Sequence, residues 1–304
     1  MLAGTAVRTP LVRLDADCDA EVYVKLETLQ PVNSFKIRGA GNAILQASDE
    51  ELAGGVVTAS AGNMAQGVAY AARLRGVPAT IVVPEGAPAT KVAAVERFGG
   101  HVVALPYDDW WRALVDGYYE GAASSLFVHP VANREVMAGN GTIGLEVVED
   151  APEFDSIVIP WGGGGLTSGI ASAVKALRPE TKVFTVEPET GAPFAASFAA
   201  GSPQPIDFSP SFVDGAGGPV VLPKMWGIDS GLVDGALSAS LDETAAAVRL
   251  LAERVRVVAE GAGALALAAA VAGRAGTGKV VCIVSGGNID SSRLGKILGG
   301  ETPT

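Results

Sequence analysis

Cysteine and histidine are nearly absent: Cys18, Cys282, His101 and His129 are the whole complement in 304 residues. Two cysteines cannot build a disulfide framework, and no His/Cys/Asp/Glu grouping falls at metal-ligand spacing. Positive charge is scarce. With 22 Lys and Arg against 33 Asp and Glu, the formal net charge is −11, which argues against nucleic acid or an anionic membrane as a partner. An acidic chain can still hold a phosphate locally, on backbone amides. Long apolar runs are missing too. Met1–Leu14 has no secretory signal pattern. Val257–Gly273 is alanine-rich, but Glu260 and glycines interrupt it, and it falls short of a span of about 20 residues. It reads as a buried helix of a cytoplasmic protein.

What is present is an ordinary globular composition, 48% hydrophobic and 18% charged, in a chain long enough to bury a core as one large domain or two medium ones. Short apolar runs at Gly55–Ala59, Thr80–Pro84, His101–Leu105, Leu126–Val128, Ser156–Pro160, Val183–Glu187 and Lys279–Val284 predict strands. Helical patterns lie between them, as at Ala65–Leu74, Thr90–Phe98 and Thr167–Leu177. This alternation predicts an α/β fold with parallel sheets covered by helices, and hairpin signals are few. Gly191–Val221, dense in Gly, Pro and Ser, predicts a long loop with a short helix inside it. Cys282 lies in an apolar run and reads as a small buried residue.

Four loops have the residues for chemistry. In Pro31–Ala40, Pro31 and Asn33 favour a turn and Ser34 is placed to cap a following helix. Lys36 then sits in the first helical turn, where amide dipoles disfavour an ammonium, as an amine nucleophile requires. Ser60-Ala61-Gly62-Asn63-Met64-Ala65-Gln66-Gly67 follows a strand and opens a helix, so its N–H groups converge on a spot suited to a carboxylate or phosphate. Trp161 is followed by Gly162, Gly163, Gly164 and Gly165, then Leu166, again between strand and helix. Four glycines are costly to order, and a ligand seated on their amides explains the cost. The loop is neither a Walker loop nor a dinucleotide fingerprint. Ser285-Gly286-Gly287-Asn288 ends the last strand, where open α/β sheets bind ligands.

Other residues carry bland readings. His101 and His129 read as strand-end or partly buried imidazoles, Trp110-Trp111 as packing, and Glu146, Glu149 and Asp150 as a solvated helix face.

Taken together and in this order, the four loops resemble the fold-type-II (tryptophan-synthase-β-like) pyridoxal-phosphate enzymes, and within them the serine/threonine dehydratase and serine racemase family. The resemblance runs from Thr9-Pro10-Leu11 to Ile289-Asp290 and includes Gly141–Glu146, Val186-Glu187-Pro188 and Glu260–Ala264. It implies two lobes, each a twisted, mostly parallel sheet flanked by helices: residues 39–136 as the small lobe, 1–38 with 137–304 as the large one, and the cofactor between them. It implies that Lys36 holds pyridoxal 5'-phosphate as a Schiff base and is the base at the substrate Cα. Phe35 and Asn63 would pack on the ring and contact its hydroxyl. Gly162–Gly165 with Leu166 would hold the phosphate, Gly215 would line the ring, and Ser285 would face the pyridine nitrogen. Ser60, Ala61, Gly62, Asn63 and Met64 would bind the substrate carboxylate. The implied reaction is α,β-elimination of water from a threonine- or serine-like amino acid, giving a 2-oxo acid and ammonia, in a homodimer.

Three departures from the family pattern shape that reading. Met64 stands where many relatives have His, and a thioether donates no hydrogen bond, which bears on substrate choice. Ala61 replaces the serine that racemases use as their second base, which argues for elimination over racemisation. Glu187 of the Glu-Pro is present, but Thr190, Gly191, Ala192 and Pro193 follow where the family's cation site has an acidic residue, so no metal is expected. The chain also stops soon after Asn288, leaving no room for a regulatory domain or a response to isoleucine through one. Two other readings compete: a pyridoxal-phosphate lyase or β-replacement enzyme for another β-substituted amino acid, and a non-catalytic ligand-binding protein on the same scaffold.

Overall fold

The computed structural model describes residues 2, 4–151 and 153–304. Met1, Ala3 and Pro152, which belong to the expected lobe spans, lie outside the described residues. In chain order the elements begin with β1 (Leu11–Leu14), β2 (Glu21–Leu26), α1 (Lys36–Gln46), β3 (Val56–Ala59), α2 (Asn63–Arg75), β4 (Ala79–Pro84) and α3 (Ala89–Arg97). They continue with β5 (His101–Leu105), α4 (Tyr107–Asp116), β6 (Leu126–Phe127), α5 (Arg134–Asp150), β7 (Ser156–Pro160), α6 (Gly165–Leu177) and β8 (Lys182–Pro188). The last are α7 (Pro193–Ala200), α8 (Pro223–Asp229), β9 (Gly235–Ala239), α9 (Leu241–Leu250), α10 (Gly261–Val271), β10 (Lys279–Val284) and α11 (Ser291–Leu298).

The chain divides into two compact units, Met1–Val7 with Gln30–Asn140, and Arg8–Leu29 with Gly141–Thr304. The first unit therefore takes in Phe35 and Lys36, which the sequence boundaries assign to the large lobe. Its sheet has the order β5-β4-β3-β6, every pair parallel. The central strand β3, Val56-Val57-Thr58-Ala59, is buried along its whole length, as a parallel strand covered on both faces must be. Its core joins Ile37 and Ile44 of α1, Met64 and Val68 of α2, and Ile81 of β4.

The second unit holds a sheet ordered β1-β2-β10-β7-β8-β9. All pairs are parallel except β1 with β2. That antiparallel edge and β9 go beyond the sequence expectation. β1 has four residues, Leu-Val-Arg-Leu, with Arg13 exposed, too short a pattern to stand out. α10 is buried at every position from Gly261 to Ala270, the state of a helix that is apolar all round. Its small side chains pack with Val158, Val280, Cys282 and Val284 of the sheet.

One polar network corrects a sequence reading. Lys25 on β2 is fully buried. Its Nζ donates to the Thr9 carbonyl at 2.6 Å and pairs with Glu146 at 2.7 Å and Asp150 at 3.6 Å. Arg8 pairs with Glu149 and Asp150. Glu146 and Asp150 are thus counter-charges of a buried lysine, whereas Glu149 lies on the solvated face that the sequence suggests. Removing one member of a buried pair strands the other charge, so Glu146→Ala is expected to destabilise the fold by about 3 kcal/mol in urea unfolding. Glu149→Gln, on an exposed pair, is expected to change little.

Candidate active site

In the first unit, Pro31–Ala40 forms the expected turn and helix start. Asn33 has φ 53° and donates its N–H to the Gln30 carbonyl at 2.8 Å, a left-handed backbone that asparagine tolerates. Lys36 is the first residue of α1. Ser34 does not cap that helix. Phe35 is the half-in residue, which leaves Ser34 one position outside capping reach. Its hydroxyl is buried with no hydrogen-bond partner among the described residues.

Lys36 Nζ donates to the Pro130 carbonyl at 3.2 Å and lies 5.0 Å from the Phe35 ring centroid. The turn presenting that carbonyl is fixed by His129, whose Nδ1 accepts from the Val131 and Ala132 N–H groups at 3.1 and 3.0 Å. His129 is thus a partly buried imidazole holding its own turn, as the sequence suggests. Gly67 brings the second loop close. A Cβ there would lie 3.2 Å from the carbonyl carbon and oxygen of Lys36, so its missing side chain lets α2 approach the start of α1. Ser60–Met64 lead into α2 next to this contact. Gly62 is the N-cap, no side chain caps the helix, and the Gly62 N–H donates to Ser60 Oγ at 3.2 Å. Ser60, Ala61, Gly62 and Asn63 are half-buried. The Met64 side chain instead points into the core, which leaves its backbone amide as the group it can offer a ligand.

In the second unit, β7 feeds Trp161 and Gly162–Gly164, and α6 starts at Gly165 with Leu166 buried in its first turn. Gly164 has φ +93°, and a Cβ there would collide with the Asp229 carboxylate. A Cβ at Gly162 would lie 3.0 Å from the Gly215 carbonyl oxygen. The Gly217 N–H donates to the Trp161 carbonyl at 2.8 Å. Gly215 in turn faces Ala262, whose Cβ would be 3.0 Å from one built on Gly215, and the Glu260 N–H donates to the Gly286 carbonyl at 3.0 Å. The glycine loop, Gly215 and the buried Ser285 therefore converge at the carboxyl ends of β7 and β10, which are neighbours in the sheet. The amides opening α6 and the positive end of its dipole form a seat for an anion. Thr167, in the first turn of α6, has a buried hydroxyl with no hydrogen-bond partner among the described residues.

Sequence reasoning missed the Pro130 carbonyl and the group beneath the glycine loop. Asp229, the last residue of α8, is fully buried. It accepts from Trp161 Nε1 at 3.0 Å and from Ser168 Oγ at 2.5 Å. Burial pushes its carboxyl up to about 7, against the opposing pull of those two hydrogen bonds. No local pattern marks Asp229, because its partners lie 61 and 68 residues away. Glu187 is also buried. It accepts from the Phe194 and Ala195 N–H groups at 3.2 and 2.8 Å, so its carboxyl caps α7, and burial pushes it up to about 8. No group of three or more His, Cys, Asp or Glu able to hold a metal occurs among the described residues.

Residues 3–286 match the family described as pyridoxal-phosphate dependent enzyme. An L-threonine ammonia-lyase of Thermotoga maritima is 41% identical over 281 residues, which cover 91% of this chain and 70% of the relative. A serine racemase of Oryza sativa subsp. indica is 36% identical over 96% of this chain and 88% of its own length. Among solved structures, the processed form of threonine deaminase isoform 2 from Solanum lycopersicum has a TM-score of 0.88 at 34% identity, covering 97% of this chain and 88% of that one. The parallel-rich sheets flanked by helices are the architecture of these neighbours.

Proposed function

Since the chain belongs to the pyridoxal-phosphate-dependent enzyme family, we propose that it is a dehydratase. It eliminates water from L-threonine or L-serine and yields a 2-oxo acid and ammonia. The observation that carries the reading is the placement of Lys36, an amine at the first position of α1 beside a helix start whose loop offers amides and only a methyl group at Ala61.

The residues present fit the cofactor. The bare backbone at Gly162 and Gly164 lets the loop pack down on Gly215 and Asp229, and the N–H groups at the α6 start, with the unpartnered Thr167 hydroxyl in the same turn, are the groups available to a phosphate. Gly162, Gly163, Gly164 and Gly165 with Leu166 are the proposed phosphate holders, and Lys36 Nζ the covalent carrier. Phe35, Asn63 and the Gly215 carbonyl are the proposed ring contacts, with the Ser285 hydroxyl facing the ring nitrogen. When bound, pyridoxal phosphate supplies the electron sink that makes the substrate Cα–H acidic.

The chain's own groups do the rest. Backbone amides of Ser60–Met64 hold the substrate carboxylate. The free amine of Lys36 would take the Cα proton. A neutral hydroxyl at Ser285 does not enforce a protonated ring as a carboxylate would. The β-hydroxyl would leave as water, taking up the proton that Lys36 Nζ removed from Cα. The released enamine isomerises and hydrolyses to the 2-oxo acid and ammonia. Ala61 has no group to return a proton on the opposite face, which separates this chain from a racemase. Met64 reaches the substrate through its amide only.

The test is direct. Purified holoprotein with L-threonine and L-serine is expected to release 2-oxo acid and ammonia in equal amounts, with D-serine at background. D-serine forming as fast as keto acid would overturn elimination as the principal reaction. Turnover confined to β-amino or β-thio substrates would move the assignment to a related lyase. A homodimer working in the cytoplasm completes the reading. No helix among the described residues is long and apolar enough to cross a membrane. Sedimentation and cell fractionation test it.

A further inference from the structure

The buried carboxyl beneath the glycine loop has no part in the proposed chemistry, yet it touches the loop at three places. Asp229 Oδ2 accepts from Trp161 Nε1 at 3.0 Å, fixing the residue that precedes Gly162. Ser168 Oγ lies 2.5 Å from Asp229 Oδ1 and 3.2 Å from the Gly164 carbonyl oxygen. The space at Gly164 is closed by the same carboxyl and by Met225. Trp161 is clamped from its other side by Phe194, stacked at 5.0 Å between ring centroids.

The surroundings of the carboxyl are the informative part. Asp229 is fully buried, and the side chains that hold it, Trp161 and Ser168, bring no cation. A buried carboxylate without a counter-charge is costly, which favours the neutral acid. A protonated Asp229 donates to Ser168 Oγ, and Ser168 Oγ then donates to the Gly164 carbonyl, which already accepts the Ser168 N–H at 2.8 Å. Oδ2 still accepts from Trp161, so the cluster accommodates the neutral form with its polar atoms paired. A neutral carboxyl also avoids placing a second negative charge under a phosphate.

We infer that Asp229 is a positioning residue that works in its protonated form, locking Trp161 and the Gly164 carbonyl so that the loop receives a phosphate, and that cofactor binding and Asp229 protonation favour each other. The inference rests on reading Gly162–Gly165 as the phosphate seat. The side chains facing the carboxyl are Trp161 after β7, Ser168 on α6 and Met225 on its own helix, none of them ionisable. Beyond them, Lys175 on α6 pairs with Asp234 at 2.7 Å, α7 has no ionisable side chain, and Lys224 is exposed in the first turn of α8. The carboxyl is raised by burial to about 7 before any phosphate arrives. For a raised group the favourable form is present below that value and lost as pH rises through it.

The probe is pyridoxamine 5'-phosphate, which has the phosphate and ring but cannot bond to Lys36, titrated by fluorescence into the cofactor-free full chain. The wild type is expected to lose about tenfold in affinity, relative to Asp229→Asn, between about pH 6 and about pH 8.5. Asparagine has the acceptor for Trp161 and the donor for Ser168 and cannot ionise. Taking the ratio of the two proteins cancels the ionisation of the phosphate itself. Infrared difference spectra of the loaded proteins near pH 8 are expected to show a protonated-carboxyl stretch that Asp229→Asn lacks. A ratio flat with pH, or no such band, overturns the inference. Gly163→Asp, which puts a charge into the seat, separates the two levels of the argument. If it binds the probe as well as wild type, the phosphate seat itself is misassigned. If it loses binding while the ratio stays flat, only the role of Asp229 falls.

Discussion

Lys36→Ala is expected to remove the visible absorption of the lysine-linked cofactor and to lower keto-acid formation by about a thousandfold or more, since a positioned base alone contributes about 10²–10⁴-fold. The fold should survive. Lys36 begins α1, and its amine makes a 3.2 Å bond to the Pro130 carbonyl rather than a core contact. Alanine is a strong helix former, so urea unfolding is expected to shift little. Lys36→Arg separates charge from chemistry. It keeps a cation within reach of Pro130 but has no amine to carry the cofactor or accept a proton. Both variants should be colourless and inactive. Activity retained in either would remove Lys36 from the centre of the mechanism.

Gly164→Ala is the second large effect, and it acts on binding and stability together. The residue has φ +93°, a left-handed backbone that disfavours any side chain by about 1 kcal/mol or more. A Cβ would also collide with the Asp229 carboxylate and meet Met225 Cε at 3.0 Å. The carboxyl cannot swing away cheaply, because its bonds to Trp161 and Ser168 hold it in a closed site. Losing either leaves a buried group unsatisfied at about 1–3 kcal/mol. A stability loss of about 3 kcal/mol is expected in urea, with cofactor affinity down about a hundredfold as the loop shifts. Gly227→Ala on α8 is the control. Nothing lies within 4 Å of its would-be Cβ, so alanine should be neutral or stabilise by up to about 1 kcal/mol. Equal effects at the two glycines would contradict the steric argument.

The parallel core was legible because its strands are short apolar runs. β3, β7 and β10 each fall where their Val- and Ile-rich segments predict. The glycine loop was legible for a different reason: four glycines in a row are costly to order and so stand out in the sequence, although the packing of Gly162 and Gly164 against Gly215 and Asp229 shows only in the structure. What escaped has no local signature. β9, Gly-Ala-Leu-Ser-Ala, is made a strand by its pairing with β8 rather than by propensity. Ser34 has a capping side chain, but α1 starts one residue late for it to serve. Glu146 and Asp150 look like parts of a solvated face until Lys25, far back in the chain on β2, is found buried against them. Asp229 is invisible for the same reason. Its meaning lies in contacts with Trp161 and Ser168 that only tertiary structure creates.

The central claim is that Lys36 carries the cofactor. Borohydride reduction of the holoprotein, followed by digestion and mass spectrometry, tests it most directly. The account predicts a single phosphopyridoxyl adduct, on the peptide containing Lys36. An adduct on another lysine, or none on a protein that still turns over threonine, would contradict it.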